Sequence, residues 1–347
     1  MSRSNSDTPT GDIRVANAFF RRLLWLFLFG IIHAYLLLWD GEILYPYALV
    51  GMLAFNFRNW KAKYLVTGAV VLLIFGTALS VKDYIITKRA NDKAQVAQLK
   101  KDKKETLTKK DSTAIDAWDG MLKERTPDKE KINKKIAEYN KGYFSLVWYK
   151  ASINQYMQTF IMYRYFFWDI LAMMLLGMAF FKSGILKAAR SNRFYIIMLI
   201  IGYAIGFTVN YFESEHLIDH NFSALSEDLT NITYDLGRVA VTFGHIALIM
   251  LFCKSGALGF LRKSLAAVGK MAFSNYITQT IICNIVFLGI GFGLYGKLER
   301  YELYYVVFSI WLFQLIISPI WLKYFRFGPL EWAWRSLTYW KKQPFKK

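Results

Sequence analysis

The sequence has few cysteines and lacks the motifs of several familiar enzyme and targeting classes. Its two cysteines, Cys253 and Cys283, lie in or beside apolar runs, which excludes the disulfide framework of a small secreted domain, and we expect both thiols to stay reduced. No G-x-S-x-G motif is present, so a covalent serine mechanism has no sequence support. The first twenty residues are polar and no small-residue cleavage site follows the first apolar run, so we expect that run to remain as a membrane span.

Apolar residues make up most of the chain. Hydrophobic residues account for 55% of the sequence and aromatic residues for 18%, and they gather in runs of about 17 to 25 residues instead of alternating with polar ones. This pattern predicts an all-α, polytopic integral membrane bundle of about eight transmembrane helices. The predicted spans are residues 22–39, 43–57, 63–81, 156–181, 194–212, 232–252, 271–293 and 302–325.

Basic residues outnumber acidic ones by 44 to 25, which gives a formal net charge of +19. The lysines and arginines fall in the loops between apolar runs, where they set membrane topology and contact anionic lipid. We therefore expect membrane lipids as partners and no nucleic acid. Basic loops alternate along the chain with acidic ones, so the positive-inside rule predicts that both termini are cytoplasmic and that the acidic loops face outward.

One long charged segment, residues 82–150, interrupts the apolar runs, and this topology places it outside the membrane. Its Ala, Gln, Leu, Lys and Glu content favours a helical hairpin with Pro127 as the break. A solvated cap is the simpler interpretation, and a lid that grips substrate is the alternative. The predicted organisation is a cytoplasmic tail, three transmembrane helices, the charged extracytoplasmic insert, five transmembrane helices and a basic amphipathic tail: residues 1–20, 21–81, 82–150, 151–326 and 327–347.

Ionisable side chains in or beside the predicted spans identify a candidate site. Ionised groups are costly in hydrocarbon, and His33 lies within the first span, with Asp40 and Glu42 just beyond its outer end. We interpret these groups as part of an outward-facing pocket of paired charges; the alternative for the arginines is that they snorkel to the surface or only tie helices together. The topology places three further groups in the outer or middle part of the bundle: Arg164, Asp169 and Arg238.

Other polar residues have less specific interpretations. Asn275 and Gln279 are four residues apart on one helix face, where they either bridge helices, the simpler role, or contact substrate. His216 and His220 have the same spacing, but they are predicted to lie in a loop without the H-E-x-x-H arrangement, and we predict no metal site. His245 is expected to hydrogen-bond a neighbouring helix; the alternative is the inner end of a proton or acyl path.

Two glycine patterns favour close packing over ligand binding. They are Gly202-x-x-x-Gly206 and the GIGFG segment at residues 289–293. The second resembles a phosphate-binding loop only in its letters, because no strand precedes it.

Four segments together resemble a known family. In order, they are LFGIIHAYLLLWDGEILYPYALVGML, MMLLGMAFFKSGIL, VGKMAFSNYITQTIICNIVF and FGPLEWAWRSLTYW. They resemble the YeiB family, a domain of unknown function in bacterial inner-membrane proteins. That family more distantly resembles transmembrane acyltransferases, which pass acyl groups from cytoplasmic donors to sugars on the far side. The resemblance implies a multi-pass protein of the bacterial cytoplasmic (inner) membrane.

The resemblance also assigns motif positions to individual residues. The His33, Asp40 and Glu42 positions are similar to an H…WDGD signature, with Glu42 in place of the usual aspartate. The polar face of a G-R-M-A-x-x-N-Y motif corresponds to Asn275, Tyr276 and Gln279, with Lys270 in place of arginine. A G-P-x-E-W-x-W-R tail at the cytoplasmic surface corresponds to Glu331 and Arg335.

One part of the family pattern has no counterpart. Members of the YeiB family normally begin with a helix bearing an L-D-x-x-R-G signature and a second helix, and nothing like either precedes Phe19. We expect either a shortened chain or a lineage that has lost part of the site. An acyltransferase that requires the Arg-Asp pair of that helix would then be disabled.

The resemblance and the residues together lead to three functional hypotheses. In the first, His33 is the general base of an acyltransferase, Asp40 or Glu42 orients it, and Arg164 or Arg238 holds a developing oxyanion. The donor would be acyl-CoA, with no bound cofactor, and the acceptor an envelope glycan or a lipid-linked molecule. The second hypothesis is a transporter using the same cluster, although no inverted repeat or pair of broken helices supports it. The third is a non-catalytic envelope protein.

Overall fold

The computed structural model describes residues 9–126 and 128–347, and these are overwhelmingly helical. The helices are α1 (Pro9–Tyr35), α2 (Leu44–Ala54), α3 (Ala62–Asp102), α4 (Lys109–Arg125), α5 (Lys129–Tyr139), α6 (Tyr143–Tyr156), α7 (Phe167–Lys182), α8 (Asn192–Asp219), α9 (Ala224–Ser255), α10 (Gly259–Lys270), α11 (Ala272–Phe287), α12 (Glu302–Tyr324) and α13 (Pro329–Tyr339). A π-helical stretch, Met157–Phe166, joins α6 to α7. The described residues contain no β-strand. The predicted break at Pro127 and the first eight residues of the predicted tail lie outside the described residues.

Six helices in the described part of the chain are long and apolar enough to cross a membrane. They are Ile13–Tyr35, Ala62–Asp102, Tyr143–Lys182, Asn192–Asp219, Ala224–Ser255 and Glu302–Tyr324. Each overlaps a predicted span, and they carry exposed apolar side chains such as Phe308 and Leu312 of α12, which are 58% and 60% exposed. Exposed apolar surface on this scale is unfavourable in water and favourable in lipid. The predicted all-α polytopic membrane fold is confirmed.

The other two predicted spans are shorter helices. α2 continues only to Phe57, through a short 3₁₀ turn. α11 ends at Phe287, so the predicted extension of this span to residue 293 is wrong. Gly293 has a φ of +60°, and a Cβ added to Gly289 would clash with the carbonyl oxygen of Asn140. Only glycine accommodates both conditions, so GIGFG forms a tight turn packed against the end of α5.

The chain divides into two compact units. Unit 1 comprises the described parts of Met1–Asn59, Asn133–Met174 and Ala257–Lys347. Unit 2 comprises the described parts of Trp60–Ile132 and Leu175–Gly256. Each unit contains helices that are separated in sequence, so the order of the spans along the chain is not their order in space.

Unit 2 is built around the close packing of α8 on α9. A Cβ added to Gly202 would lie 2.7 Å from the carbonyl oxygen of Ala240 and 2.7 Å from the backbone nitrogen of Gly244. A Cβ added to Gly206 would lie 2.7 Å from the backbone nitrogen of Val241. Small residues let membrane helices approach to this distance. The interpretation of Gly202-x-x-x-Gly206 as a packing motif is confirmed.

The charged insert is helical in its described part, as predicted, but its hairpin is formed by α3 and α4 and turns at residues 103–108, so the predicted position of the hairpin turn is wrong. α3 continues without interruption from its apolar half into the charged segment, and α4 packs back against it. A capping box of Thr108 and Asp111 begins α4. The buried Asp228 of α9 accepts hydrogen bonds from the hydroxyl of Thr87 at 2.5 Å and from the guanidinium of Arg125 at 2.9 Å. These bonds tie α3 and α4 to α9 inside unit 2.

Candidate functional site

His33 lies at the end of α1 in unit 1 and is completely buried. Its Nε2 lies 2.8 Å from Oγ1 of Thr280 on α11, and its Nδ1 lies 3.7 Å from Oε1 of Glu42. The ring stacks on Trp39 at a centroid separation of 6.2 Å and packs edge-on against Tyr276 at 4.8 Å. The histidine thus lies between a hydroxyl group and a carboxylate, which is the geometry of a base with an orienting acid.

Glu42 is held by the first turn of α2. Its carboxylate oxygens accept hydrogen bonds from the backbone N–H groups of Leu44 and Tyr45, the second at 2.9 Å. These N–H groups have no partner within the helix, so the carboxylate caps it. Because both carboxylate oxygens act as acceptors, the ring nitrogen that faces them, Nδ1 of His33, is expected to carry the proton. Nε2 is then available to accept a hydrogen bond from Thr280.

Side chains from other helices hold the chain where it leaves α1. The last carbonyls of a helix have no partner within it and must find one elsewhere. In unit 1, side-chain donors on α6 and α11 meet these carbonyls at 2.5 to 2.8 Å. The carbonyls of Ala34, Leu36, Leu37 and Leu38 accept hydrogen bonds from Asn154, Tyr143, Asn284 and Lys150, respectively. This capping sets the direction of the loop that carries residues 39–42.

Asp40 makes its polar contacts in a second cluster, with side chains of α5 and α6. Its Oδ1 lies 3.3 Å from Nζ of Lys150, and its Oδ2 accepts a hydrogen bond from the hydroxyl of Tyr139 at 2.8 Å. Lys150 and Tyr139 are both buried, and the Tyr139 ring stacks on Tyr295 at 4.1 Å. Burial, followed by the negative charge of Asp40, raises the pKa of Tyr139 above its ordinary value. The hydroxyl of Tyr139 therefore stays protonated and remains a donor to Asp40.

A cavity of about 540 Å³ lies beside this second cluster, within unit 1. Asp40, Lys150 and Tyr139 form its polar end, and most of the remaining wall is apolar or aromatic. Trp39 belongs to both parts of the site, because it stacks on His33 and also lines the cavity. A volume of this size is typical of pockets for small ligands. The cavity wall includes Lys135 and Tyr139 of the predicted insert, so the insert contributes directly to the site.

Arg164 and Asp169 also belong to unit 1. Arg164 lies in the π-helical stretch, where its Nε donates to the hydroxyl of Tyr165 at 2.8 Å. Asp169 lies in the first turn of α7. Neither residue is among those that line the cavity in the described part of unit 1.

Arg238 belongs to unit 2. Its guanidinium donates to Oδ1 of Asp235 at 2.7 Å, one turn earlier on α9. Each side chain of this pair is about a quarter exposed. An arginine in an apolar helix can have its charge balanced by an acidic residue one turn away on the same helix, and Asp235 does this for Arg238.

Asn275 and Gln279 join α11 to α12. Nδ2 of Asn275 donates to Oγ of Ser318 at 3.1 Å, and Nε2 of Gln279 donates to Oε1 of Gln314 at 3.0 Å. Gln314 in turn donates to the backbone carbonyl of Asn275 at 2.9 Å. These are the contacts of the helix-bridging role, the simpler of the two sequence interpretations.

The two charged residues of the tail motif are held in α13. Glu331 accepts hydrogen bonds from the backbone N–H groups of Phe273 and Ser274 at 2.7 and 3.0 Å, so it caps the start of α11. The guanidinium of Arg335 lies over the rings of Phe327 and Tyr339. These contacts give the tail motif a role in positioning the helix that carries Thr280.

The remaining histidines lie in unit 2. The prediction that His216 and His220 occupy a loop is wrong, because His216 is in the last turn of α8 and His220 caps its end. The described residues contain no group of three or more potential metal ligands. Nδ1 of His245 donates to the carbonyl of Val241 on its own helix at 2.9 Å, so the predicted bond to a neighbouring helix is also wrong. The backbone carbonyl four residues earlier in a helix lies within hydrogen-bond distance of the imidazole, so the ring needs no partner on another helix.

Sequence reasoning missed Thr280, Lys150 and Tyr139. A lysine within the otherwise apolar α6 was a usable signal, because a buried ammonium needs a counter-charge. Thr280 and Tyr139 carried no such signal, since threonine and tyrosine are common in helices of every environment. Their roles depend on contacts across 247 and 99 residues of sequence.

Comparison with known proteins identifies relatives but no solved homologue. A family model described as "Protein of unknown function (DUF418)" matches residues 180–341. The uncharacterized protein YxaH of Bacillus subtilis (strain 168) is 30% identical over 343 residues, covering 96% of this chain and 75% of YxaH. The uncharacterized protein YeiB of Escherichia coli (strain K12) is 30% identical over 323 residues, covering 91% of this chain and 74% of YeiB. No solved structure matches the chain. The coverage and identity confirm the resemblance drawn from the sequence motifs, and the chain belongs to the YeiB family of DUF418 membrane proteins.

Proposed function

We propose that this protein is an acyltransferase of the bacterial inner membrane, which moves an acyl group from cytoplasmic acyl-CoA to a hydroxyl-bearing acceptor on the outer side. The observation that carries the proposal is the placement of buried His33 between the carboxylate of Glu42 and the hydroxyl of Thr280. A charged or polar group in a span is retained at an energetic cost, so a complete acid, base and hydroxyl set at the end of α1 favours chemistry over packing.

The reaction follows from the roles of these groups. The acceptor hydroxyl attacks the thioester carbonyl, a C–O bond forms, and the C–S bond to coenzyme A breaks. The acceptor's proton passes to Oγ1 of Thr280 as the Thr280 proton passes to Nε2 of His33, and the reverse relay returns a proton to the departing sulfur. Glu42 keeps the Nδ1 proton facing it and stabilises the imidazolium while that charge lasts. At 3.7 Å the His33–Glu42 contact is longer than a hydrogen bond, and it would shorten when the ring becomes charged.

Two further features support this assignment. Trp39 stacks on His33 and lines the cavity, so a single side chain separates the space for an acceptor from the proposed base. The basic loops that the positive-inside rule predicts to be cytoplasmic suit the phosphates of acyl-CoA. Both termini are cytoplasmic in this proposal, and the acceptor is an envelope glycan or a lipid-linked molecule.

The test uses the purified full chain in lipid nanodiscs, where both membrane faces are accessible. Acetyl-CoA is supplied with octyl β-glucoside or a monoacylglycerol as acceptor, and released CoA and the ester product are measured by mass spectrometry. We expect release by the wild-type protein and a loss of about 10²- to 10⁴-fold in H33A, the range for a positioned base. The matched control is H245A, because His245 is exposed, hydrogen-bonds the carbonyl of Val241 on its own helix and packs edge-on against Tyr203, away from His33 in sequence and in unit 2.

The outcomes separate the hypotheses. CoA release that depends on His33 and not on His245 supports the proposal. Absence of release with every acceptor, or release that survives H33A, contradicts it.

A second candidate is a proton-coupled permease, favoured by the pairing of partly exposed Asp40 with buried Lys150 at the edge of a cavity. It predicts movement of octyl β-glucoside into proteoliposomes, with accompanying acidification, in the absence of any CoA release. That result in both the wild-type protein and H33A would replace the acyltransferase assignment.

A further inference from the structure

The cavity in unit 1 has a polar end and an apolar remainder. Its polar end is formed by Asp40, Lys150 and Tyr139. Its other wall includes Leu288, Leu294, Leu298 and Phe287. A ligand that fills both parts must itself be amphipathic, since apolar surface gains from leaving water and a polar group must keep its hydrogen bonds.

The charges at the polar end are already balanced within the protein. Nζ of Lys150 lies 3.3 Å from Asp40 and also donates to the carbonyl of Leu38 at 2.6 Å. A buried, neutralised ammonium offers little to an anion, and a carboxylate with its own counter-ion offers little to a cation. The charge balance at this end therefore favours an uncharged ligand.

The polar atoms of this end that can still form hydrogen bonds are mainly acceptors. The hydroxyl of Tyr139 already donates its hydrogen bond to Oδ2 of Asp40. A carboxylate has about four lone-pair sites, and these two neighbours do not fill them. Asp40 keeps 29% of its side chain exposed, whereas Lys150 keeps only 5%. The accessible polar atoms therefore suit hydroxyl donors.

We propose that this cavity is a binding site for an uncharged amphiphile with a hydroxylated head, in which the head contacts Asp40 and the apolar part contacts the leucine-rich wall. This ligand would be the acceptor of the proposed acyl transfer. Its role as acceptor rests on the proposed function, but its binding in the cavity does not. The alternative is an anionic head drawn by Lys135, which is exposed at the cavity edge.

Cys283 provides a reporter inside the cavity. It is half-buried and lines the wall, while Cys253 of unit 2 is exposed and serves as an internal control. These are the two cysteines of the chain, so peptide mass spectrometry reads each one separately. The rate of N-ethylmaleimide labelling is measured on the full chain in nanodiscs with three probes of equal chain length: octyl β-glucoside, octyl phosphate and octyltrimethylammonium.

We expect octyl β-glucoside to slow the labelling of Cys283 and not that of Cys253. At a concentration ten times its Kd, labelling should slow about tenfold, because the fraction of empty sites falls by about that factor. Asp40→Asn should reduce the protection. Since this change also leaves Lys150 without its counter-ion, Leu298→Trp is a second test that blocks the apolar wall without touching the charge pair.

Three outcomes would overturn the proposal. The first is equal protection by all three probes, which indicates unspecific partition. The second is stronger protection by octyl phosphate that disappears in Lys135→Gln, which indicates an anion site. The third is no protection by octyl β-glucoside at any concentration that leaves the nanodiscs intact. CoA release is not part of this readout, so failure here and failure of the acyltransferase assignment are distinguishable.

Discussion

Lys150 donates to the backbone carbonyl of Leu38 at 2.6 Å, although 112 residues separate the two in sequence. Leu38 has a φ of +56°, a conformation that a leucine seldom adopts, and its side chain is buried in a cluster with Leu146 and Leu288. The same ammonium lies 3.3 Å from Asp40. One side chain of α6 thus holds the turn that leads from buried His33 to the cavity.

Removal of Lys150 should therefore destabilise the protein strongly. We expect Lys150→Met to reduce the free energy of unfolding by about 3–5 kcal/mol, because the carboxylate of Asp40 would then lose the positive charge that balances it. The measurement is unfolding in mild detergent, followed by circular dichroism. Lys141→Met is the matched control, since Lys141 is half-exposed and pairs with Glu138 at the surface, where the loss should be about 1 kcal/mol or less. Equal effects of the two substitutions would contradict this role.

The hydroxyl of Thr280 should matter more than its shape. Thr280→Val keeps the volume and removes the group that faces Nε2 of His33, whereas Thr280→Ser keeps the hydroxyl. We expect Val to lower acyl transfer by at least about tenfold, part of what a positioned base contributes, and Ser to retain most of it. Equal losses of rate in the Val and Ser variants would indicate a packing role.

The glycine contacts between α8 and α9 give a prediction for unit 2. In Gly202→Ala the new Cβ would lie 2.7 Å from backbone atoms of α9, which cannot move aside as a side chain can, and we expect a loss of about 1–3 kcal/mol. Gly177→Ala in α7 is the control, because no atom lies within 4 Å of its added Cβ. The control should be neutral or stabilising by up to about 1 kcal/mol. The measurement is the thermal unfolding temperature of the two variants, and an equal change in both would contradict the prediction.

Alkaline titration should reveal the environment of Tyr139. Its pKa is raised, first by burial and then by the charge of Asp40, above the ordinary value of about 10. The native protein then keeps a proton that the unfolded chain releases above about pH 10, so stability contributed by this group is complete below that pH and is lost as the pH rises through the native pKa. Unfolding temperatures measured across this range should fall more steeply for the wild-type protein than for Tyr139→Phe. Parallel curves would show that Tyr139 is not the responsible group.

Part of the site could be read directly from the order of residues. His33 and Glu42 are nine positions apart in a segment with few other ionisable residues, so the sequence suggests that they pair. In the structure Nδ1 of His33 lies 3.7 Å from Oε1 of Glu42. Asp40 was expected in the same group, but its side chain points to Lys150 and Tyr139. Two positions separate Asp40 from Glu42, and the turn between them, not the spacing, decides which way each carboxylate faces.

The sequence alone determined that this is a helical membrane protein, because long apolar runs have few stable forms other than helices in lipid. It also indicated close helix packing at Gly202 and Gly206, since glycines four positions apart lie on one face of a helix, and the structure supplied α9 as the partner. The tertiary structure decided which helix supplies the partner of Asp40 and which hydroxyl meets His33. Those partners come from α5, α6 and α11, and no periodicity along one helix encodes contacts that form only when distant segments pack together.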